Sequence, residues 1–382
     1  MTPLNVLLVS PWQTGAGASG VASACRHLAE GLSSHAAAGD IVVLSLSDSR
    51  WTDHAGAGRV RVEMLPRQAR LALVSNGWPD YLKASRWLRG SGFTPDVVHG
   101  QGFAGEGRLA VRLARRLRVP SVVTVHGMVD KEARMYADPA RAALARRVMK
   151  QTLRAASGIV FVSPYRKDEL PTGSATATRV IENAISPELF ALESDPSSCT
   201  ILYAGFVGPR KRLLDLIRAL PIVRRSLPRA RLRVAGPVSD AAYASAVERE
   251  IGRLALEGAV ARLGPLDRAS LHAEYASAGV LALPSEEENA PQVIAEALAS
   301  GLPVVATDVG GIAWMVADGV DGFVVPPGDV GALAGRIVAV LSANDRAAMS
   351  RGARAQAERF RPERVAGATF DLYRAVGAGG AT

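Results

Sequence analysis

Two carboxylates eight positions apart, Glu288 and Glu296, stand in the segment "PSEEENAPQVIAEALASGLPVVATDVGG" (Pro284 to Gly311). Glu288 falls in a polar turn, after an apolar run that ends at Ser285. Glu296 falls in the second turn of a helix expected to begin near Ala290 or Pro291, where proline is tolerated, and to stop at Gly301. Carboxylates so placed accept hydrogen bonds from the hydroxyls of a sugar or a ribose, and their charge strengthens those bonds. The first turn of the same helix offers the backbone N–H groups of Gln292 and Val293, and a helix N-terminus attracts a diphosphate. Glu286 and Glu287 read as surface charge.

A second cluster, Arg210, Lys211 and Arg212 in "YAGFVGPRKRLLDL" (Tyr203 to Leu216), lies between a strand and a helix. Three cations on such a loop favour an anion site over a solvated surface. The Gly-Lys-Ser/Thr of a P-loop is absent, and so is any Asp-x-Asp clamp for a metal-bound nucleotide. Cations and a helix dipole can manage phosphate charge alone, so no metal is expected and nothing in this cluster calls for a cofactor.

A third stretch, "GAGASG" (Gly15 to Gly20), spells the G-x-G-x-x-G of a dinucleotide-binding turn between an apolar run, "NVLLVS", and a helical one. That run ends at Ser10, five residues before the first glycine, and Asp48 follows Gly20 by 28 residues where a ribose-binding acid is expected about 20 on. Two readings stay open: a nicotinamide or flavin clamp, or a glycine loop at the mouth of an α/β cleft. His99 and His126 each close a strand pattern, a place where histidine serves either structure or ligand.

The elements that must position these residues come in two series. Buried-strand runs recur at "NVLLVS", "IVVLSLS", "RVEML", "DVVHG", "SVVTVH" and "GIVFVS", then at "TILYAG", "RLRVAG", "VARLG", "GVLALPS", "PVVAT" and "GFVVPP", separated mostly by helical patterns. Such alternation means parallel sheets wrapped by helices. The chain is therefore α/β, with two doubly wound Rossmann-like domains facing each other across a cleft at the carboxyl ends of their strands. The expected boundaries are 1–183 for the first domain, 184–199 for a linker rich in turn residues, and 200–364 for the second. A final helix, about 365–382, is expected to pack back on the first.

A length of 382 residues, 48% of them apolar and 21% charged, belongs to globular proteins rather than disordered ones. With neither an apolar run long enough to span a membrane nor a signal-peptide pattern, a cytoplasmic location is expected. Cys25 and Cys199 have no metal-ligand spacing and read as free thiols. The net charge of +9 is lopsided: residues 1–185 carry 24 Lys and Arg against 14 Asp and Glu, residues 186–382 carry 21 against 22. A basic first half suits an anionic membrane surface, with Arg108, Arg112, Arg115 and Arg116 on one helical face and Arg147, Lys150 and Arg154 on another. Aromatic residues, 5% of the chain, are not interleaved with the basic ones, which argues against nucleic acid.

Taken together, these segments resemble the family 4 glycosyltransferases of the GT-B fold, whose E-x7-E signature is Glu288 to Glu296 here. The resemblance extends through "VVTVHG" (Val122 to Gly127), "FVSPYRKDEL" (Phe161 to Leu170), "VIENAI" (Val180 to Ile185) and "DGFVVPPGD" (Asp321 to Asp329). It implies a retaining, metal-independent hexosyltransferase that uses a UDP- or GDP-sugar. The acceptor would be a saccharide or lipid-linked hydroxyl, in cell-surface polysaccharide or glycolipid synthesis.

By the same resemblance Glu288 would meet the donor sugar's hydroxyls, and Lys211 the departing diphosphate. His126 would approach the sugar or acceptor from the first domain. Donor contacts would also come from Glu296, on the ribose, and from Arg210, Gln292, Val293, Asn289 and Gly205. Gly17, Gly20 and His99 would line the acceptor side, which turns "GAGASG" away from the dinucleotide reading. Three departures stand out: Phe206 where the family has Arg, which makes Arg210 a substitute cation; Trp314 where "GGIPE" has Glu; and Ala184 after Asn183 where the family has Gly. A non-hydrolysing nucleotide-sugar epimerase of the same fold and a nicotinamide dehydrogenase remain as alternatives.

Overall fold

The structure, a computed structural model, describes residues 2–12, 20–47, 60–66, 77–127, 129, 133, 138–165, 167–174, 176–195, 197–343 and 346–379. They form two compact units, one from the described residues of 2–184 with 362–379, the other from 185–361.

The sheet of the first unit has seven parallel strands: β1 (Leu4–Val9), β2 (Ala38–Ser47), β3 (Val60–Pro66), β4 (Val97–Gln101), β5 (Ser121–Val125), β6 (Gly158–Phe161) and β7 (Ala177–Val180). Their order is β3-β2-β1-β4-β5-β6-β7. β4, β5 and β6 are buried along their whole length, as expected of strands covered on both faces, which therefore read as apolar runs rather than alternations. The helices described here include α1 (Gly20–Ser34), α2 (Trp78–Ser91), α3 (Gly105–Leu117) and α4 (Pro139–Ala155). α4 starts where Asp138 accepts a hydrogen bond from the Arg141 N–H at 2.7 Å and Pro139 takes the first helical position.

The second unit repeats the plan with six parallel strands, β8 (Thr200–Ala204), β9 (Arg231–Ala235), β10 (Val260–Gly264), β11 (Val280–Leu283), β12 (Val304–Thr307) and β13 (Gly322–Val325), ordered β10-β9-β8-β11-β12-β13. Its helices are α5 (Leu213–Ser226), α6 (Ala241–Arg253), α7 (Arg268–Ser277), α8 (Gln292–Ala299), α9 (Ile312–Met315), α10 (Val330–Leu341) and α11 (Arg346–Ala357). Asp240, Asp267 and Asp329 cap α6, α7 and α10 through backbone N–H groups three residues on. A last helix, α12 (Pro362–Ala375), packs in the first unit, where Val365, Ala366, Phe370, Leu372 and Tyr373 join the core beneath β1 and β2.

Of the segment 184–199, which reads as a linker, Ala184 falls in the first unit and the described residues from Ile185 on are anchored to the second. Ile185 and Leu189 are in that unit's core, the Ile185 N–H reaches the Phe360 carbonyl at 3.2 Å, and Ser194 Oγ donates to the Gly301 carbonyl at 2.9 Å. In both sheets the strand order reverses at the first strand of the unit, between β1 and β4 and between β8 and β11. Open α/β sheets bind ligands at such switch points.

Candidate active site

The loops that follow β8 and β11 flank the second unit's switch point, and they carry Lys211 and Glu288. After β8 a short 3-10 turn, Pro209–Lys211, brings the Lys211 side chain inward, where it is buried. Arg212, in a left-handed conformation (φ 49°), turns aside to Asp215, with Nε donating to Oδ2 at 2.7 Å. Arg210 is exposed, and its carbonyl accepts the Glu286 N–H at 2.9 Å, lacing the two loops together. Of the three neighbouring cations, Lys211 is the one whose Nζ donates to Glu288 Oε1.

Glu288 is buried and further held by Ser285, whose hydroxyl donates to the same Oε1 at 2.8 Å. Gly310 closes over its backbone: φ is +62°, and a Cβ there would lie 1.6 Å from the Glu288 carbonyl oxygen, so a side chain at 310 would displace the carboxylate. A buried cation and a buried anion satisfy one another, and either alone would be costly. An anionic ligand entering here would compete with Glu288 for Lys211, and the released carboxylate could then accept hydrogen bonds from hydroxyls.

α8 begins at Gln292 with Pro291 at its cap and no side-chain cap. Gln292 and Glu296 are four residues apart and share a helix face. Gln292 Nε2 is buried without a hydrogen-bond partner among the described residues. The Tyr275 hydroxyl donates to Glu296 Oε2 at 2.7 Å. Burial raises the Glu296 pKa, and the bond from Tyr275 works against that rise because it favours the anion. Val293 and Asn289 are half-buried at the same end of the helix. Gly205 (φ +156°) lies where a Cβ would come 3.8 Å from Lys211 Cε. Phe206 is exposed, and its carbonyl accepts the Tyr203 hydroxyl at 2.7 Å. Trp314, on α9, is exposed with the Arg359 guanidinium 5.2 Å from its ring centroid.

The first-unit candidates form a separate group. His99, on β4, is buried; His126 follows β5 and is half-buried. Gln101 joins them: its Oε1 lies 2.9 Å from His126 Nε2 and its Nε2 lies 3.2 Å from His99 Nε2. Thr124 Oγ1 lies 2.7 Å from His99 Nε2, and Tyr373 Oη lies 2.7 Å from His99 Nδ1. Burial lowers the pKa of His99 to about 3 and that of His126 to about 4, so both rings are neutral at pH 7. Gly20 is exposed at the start of α1. Gly15, Gly17 and Asp48 lie outside the described residues.

Ser285, Tyr275, Gln101, Thr124 and Tyr373 join these groups without having been marked by the sequence reading. Gln101 had a signal, since it follows His99 by two and so shares its face of β4. Tyr373 had none, being 274 positions from its partner.

Among the described residues no group of three or more His, Cys, Asp or Glu is placed to hold a metal ion, and no helix is long and apolar enough to cross a membrane. Two family models match the chain: a glycosyl transferase 4-like domain over residues 19–184 and glycosyl transferases group 1 over residues 198–343. Glycogen synthase of Mycobacterium tuberculosis is 31% identical over 296 residues, covering 74% of this chain and 69% of that protein. D-inositol 3-phosphate glycosyltransferase of Saccharomonospora viridis is 30% identical over 301 residues, covering 73% and 70%. Among solved structures, sucrose-phosphate synthase of Thermosynechococcus elongatus superposes with a TM-score of 0.78 at 22% identity, over 98% of this chain and 99% of that one. HepE of Anabaena in complex with UDP-glucose gives 0.77 at 21% identity, over 97% and 100%. With both sheets, the E-x7-E carboxylates and these matches in agreement, the chain belongs to the family 4 glycosyltransferases of the GT-B fold.

Proposed function

We propose that this glycosyltransferase moves a hexose from a UDP- or GDP-sugar to a hydroxyl acceptor, with retention at the anomeric carbon and without a metal ion, in the synthesis of a cell-surface polysaccharide or glycolipid. The observation that carries the reading is the buried Lys211–Glu288 pair at the second switch point. The relatives' names support the substrate class: one is a glycogen synthase, another acts on D-inositol 3-phosphate, and HepE was crystallised with UDP-glucose.

In this reading the donor diphosphate takes Lys211 from Glu288 and lies toward the N-terminus of α8, where the Gln292 and Val293 N–H groups add partial positive charge. Glu288, released from the lysine, accepts hydrogen bonds from the sugar's hydroxyls. Glu296 does the same for the ribose, its second oxygen held by Tyr275. As the bond from the anomeric carbon to the diphosphate breaks and the acceptor hydroxyl's oxygen bonds that carbon, its proton passing to the departing diphosphate, negative charge grows on that leaving group in the transition state. A fixed cation lowers the barrier most at that moment. Lys211 and the exposed Arg210 supply the charge that a metal would otherwise bring. His126 contacts the sugar or acceptor.

Incubation with a panel of nucleotide sugars, reading nucleoside diphosphate release with and without cell-lipid extract, tests the reading. Release that needs an acceptor and survives EDTA is the expected result. Interconversion of donors with no acceptor present would make the protein an epimerase, and loss with chelator restored by Mg²⁺ would overturn the metal-free account.

The first unit is the part proposed to meet an anionic membrane. Leu109 and Leu113 of α3 are used in the core, which leaves Arg115 and Arg116 exposed, with Arg147, Lys150 and Arg154 exposed on α4. Such attachment is electrostatic, about 1 kcal/mol per cation near acidic lipid. Flotation with phosphatidylglycerol vesicles should show binding at low salt that disappears in about 0.5 M salt; no binding at low salt would favour an acceptor free in solution.

A further inference from the structure

The helix that carries Gln292 and Glu296 is uncapped at one end and fully bonded at the other. No side chain caps the N-terminus of α8, and with eight residues the helix is too short to hold its place by propensity alone. At its C-terminal end the Glu296 and Leu298 carbonyls accept the Ser300 and Gly301 N–H groups at 3.1 and 3.0 Å, and the Ala297 carbonyl accepts the Leu302 N–H at 2.8 Å. The next two carbonyls share one guanidinium. Arg354, on α11, donates to the Ala299 carbonyl from Nη1 at 3.4 Å and to the Ser300 carbonyl from Nη2 at 3.2 Å. The same Nη2 donates to the Leu192 carbonyl, and Ser194, two residues on, bonds the Gly301 carbonyl. Gly301 leaves room for this: its φ is +74°, and a Cβ there would lie 2.8 Å from Arg354 Nε. Among the described residues every hydrogen bond of Arg354 goes to a main-chain carbonyl, and no carboxylate pairs with it.

We propose that Arg354 is a positioning residue of the donor site. It holds α8 by its C-terminal end against the segment that enters the second unit at Ile185, and so sets where the Gln292 and Val293 N–H groups and the Glu296 carboxylate meet a nucleoside diphosphate. The proposal rests on the reading that puts the diphosphate at the N-terminus of α8. Ile294, Ala295, Ala297, Leu298 and Ala299 bury one face of the helix in the core. Apolar burial is non-directional, so it keeps α8 on the sheet without fixing how far it slides along it. The planar fork of a guanidinium, spread over three carbonyls from two segments, supplies that direction. Its charge also lies at the favourable end of the helix dipole. A helix moves as a rod, and a shift of about 1 Å at the far end is enough to misplace groups that act on a ligand.

α11 makes the same kind of clamp at Arg346. There Nε donates to the Val340 carbonyl at 3.2 Å, Nη2 to the Leu341 carbonyl, and Nη1 to the Ser198 carbonyl at 2.7 Å. That guanidinium closes the C-terminus of α10, whose N-terminus is already capped by Asp329. The two arginines thus make like bonds from one helix and differ in the helix they close, which provides a control for stability.

Calorimetric titration of the full chain with UDP and with GDP reads the donor site without an acceptor. Arg354→Met should weaken whichever nucleotide the wild type binds by about tenfold, the worth of one charge-assisted hydrogen bond. Arg346→Met should lose stability to urea as Arg354→Met does, yet bind within about twofold of the wild type, since it shares no partner with α8. Arg354→Lys keeps the charge but cannot span three carbonyls, so it should fall between, at about threefold, and it carries the comparison if the Met variant does not fold. One measurement needs no variant: in the wild type, saturating nucleotide should slow amide exchange at Leu192 and Asp195 together with α8. Unchanged affinity in Arg354→Met, equal weakening in both arginine variants, or exchange at Leu192 unmoved by nucleotide overturns the proposal. A wild type that binds neither UDP nor GDP overturns the donor reading and the proposal with it, so the two failures are told apart.

Discussion

At the carboxyl end of the second unit's sheet a buried lysine faces a buried carboxylate, Lys211 and Glu288, whereas the polar cluster at the end of β4 and β5 in the first unit, His99, Gln101, Thr124 and His126, is uncharged. Both clusters are built on parallel sheets with the same reversal of strand order. The difference lies in what each is asked to hold. In the function proposed above, a diphosphate brings charge of its own and takes Lys211 from Glu288, and the preformed pair holds the lysine in place until the donor arrives. A chain of neutral groups offers no charge to exchange, only direction.

The largest expected effect breaks the charged side of this contrast. Lys211→Met should lower kcat/KM about 10³-fold through loss of leaving-group stabilisation. It should also cost about 3–5 kcal/mol of stability, because Glu288 is left buried alone. Adding Glu288→Gln to that variant should restore most of the stability and none of the activity, as read by urea unfolding beside diphosphate release. If the double variant is no more stable than the single one, the pair does not matter in the way described.

Glu288→Gln alone comes next. It should lose stability, because Lys211 is left buried without its anion, and lose about 10²-fold in turnover if its contact with the sugar strengthens as charge develops. Full activity in this variant would sink the assignment of Glu288.

Tyr275→Phe should act on binding. The hydroxyl's bond to Glu296 favours the carboxylate, so removing it should move that already raised pKa further up. Donor KM should rise about tenfold, roughly the worth of one charge-assisted hydrogen bond. The acid limb of kcat/KM for the donor should shift to higher pH, and an unchanged limb would show that Tyr275 serves packing alone.

The smallest effect compares the units directly. His99 and His126 take up protons in the unfolded chain near pH 6.5 but in the folded one only near pH 3 and 4. The first unit therefore loses stability as pH falls from about 6.5 toward 4, by at most about 1.4 kcal/mol per pH unit for each ring. Asp321, raised to about 6, takes up its proton in the folded second unit before it would in the unfolded chain, so between about 6 and 4 it adds stability on acidification, and Glu296, also raised by burial, acts in the same direction. His272, lowered by partial burial, runs the other way. Amide exchange at pH 7 and pH 5 should show protection of β4 and β5 falling relative to β8 and β11. Equal changes in both sheets would erase the distinction.

Much of the fold could be read in the sequence because β4, β5, β6, β8 and β11 are covered on both faces and read as apolar runs bounded by Gly and Ser. The segment 184–199 read as a linker because its anchors are sparse: Ile185 and Leu189 hold a stretch otherwise rich in turn residues. At the site, Glu288, Glu296 and Lys211 were legible from type and spacing in two short segments. Ser285 and Tyr275 were not, since a serine at a strand end and a tyrosine in a helix have many ordinary uses, and their partners are chosen only when the strands pair. Tyr373 is the extreme case. Its role is created by α12 crossing back to the first unit, and nothing local to "FDLYRAV" announces it.

That crossing has a consequence in time. A ribosome makes residues 1–184 first, yet the core of that unit lacks Phe370, Leu372 and Tyr373 until α12 emerges, about 180 residues later. At about 5–20 residues per second the interval is about 10–35 seconds. By the end of that interval every described residue of the second unit is made. The unit begun last can thus be finished first, while the older one waits with an open apolar face for the helix that closes it. Nascent chains stalled before residue 362 should accordingly be cut by protease in the first unit and spared in the second; equal resistance in both would show that the first unit closes without α12.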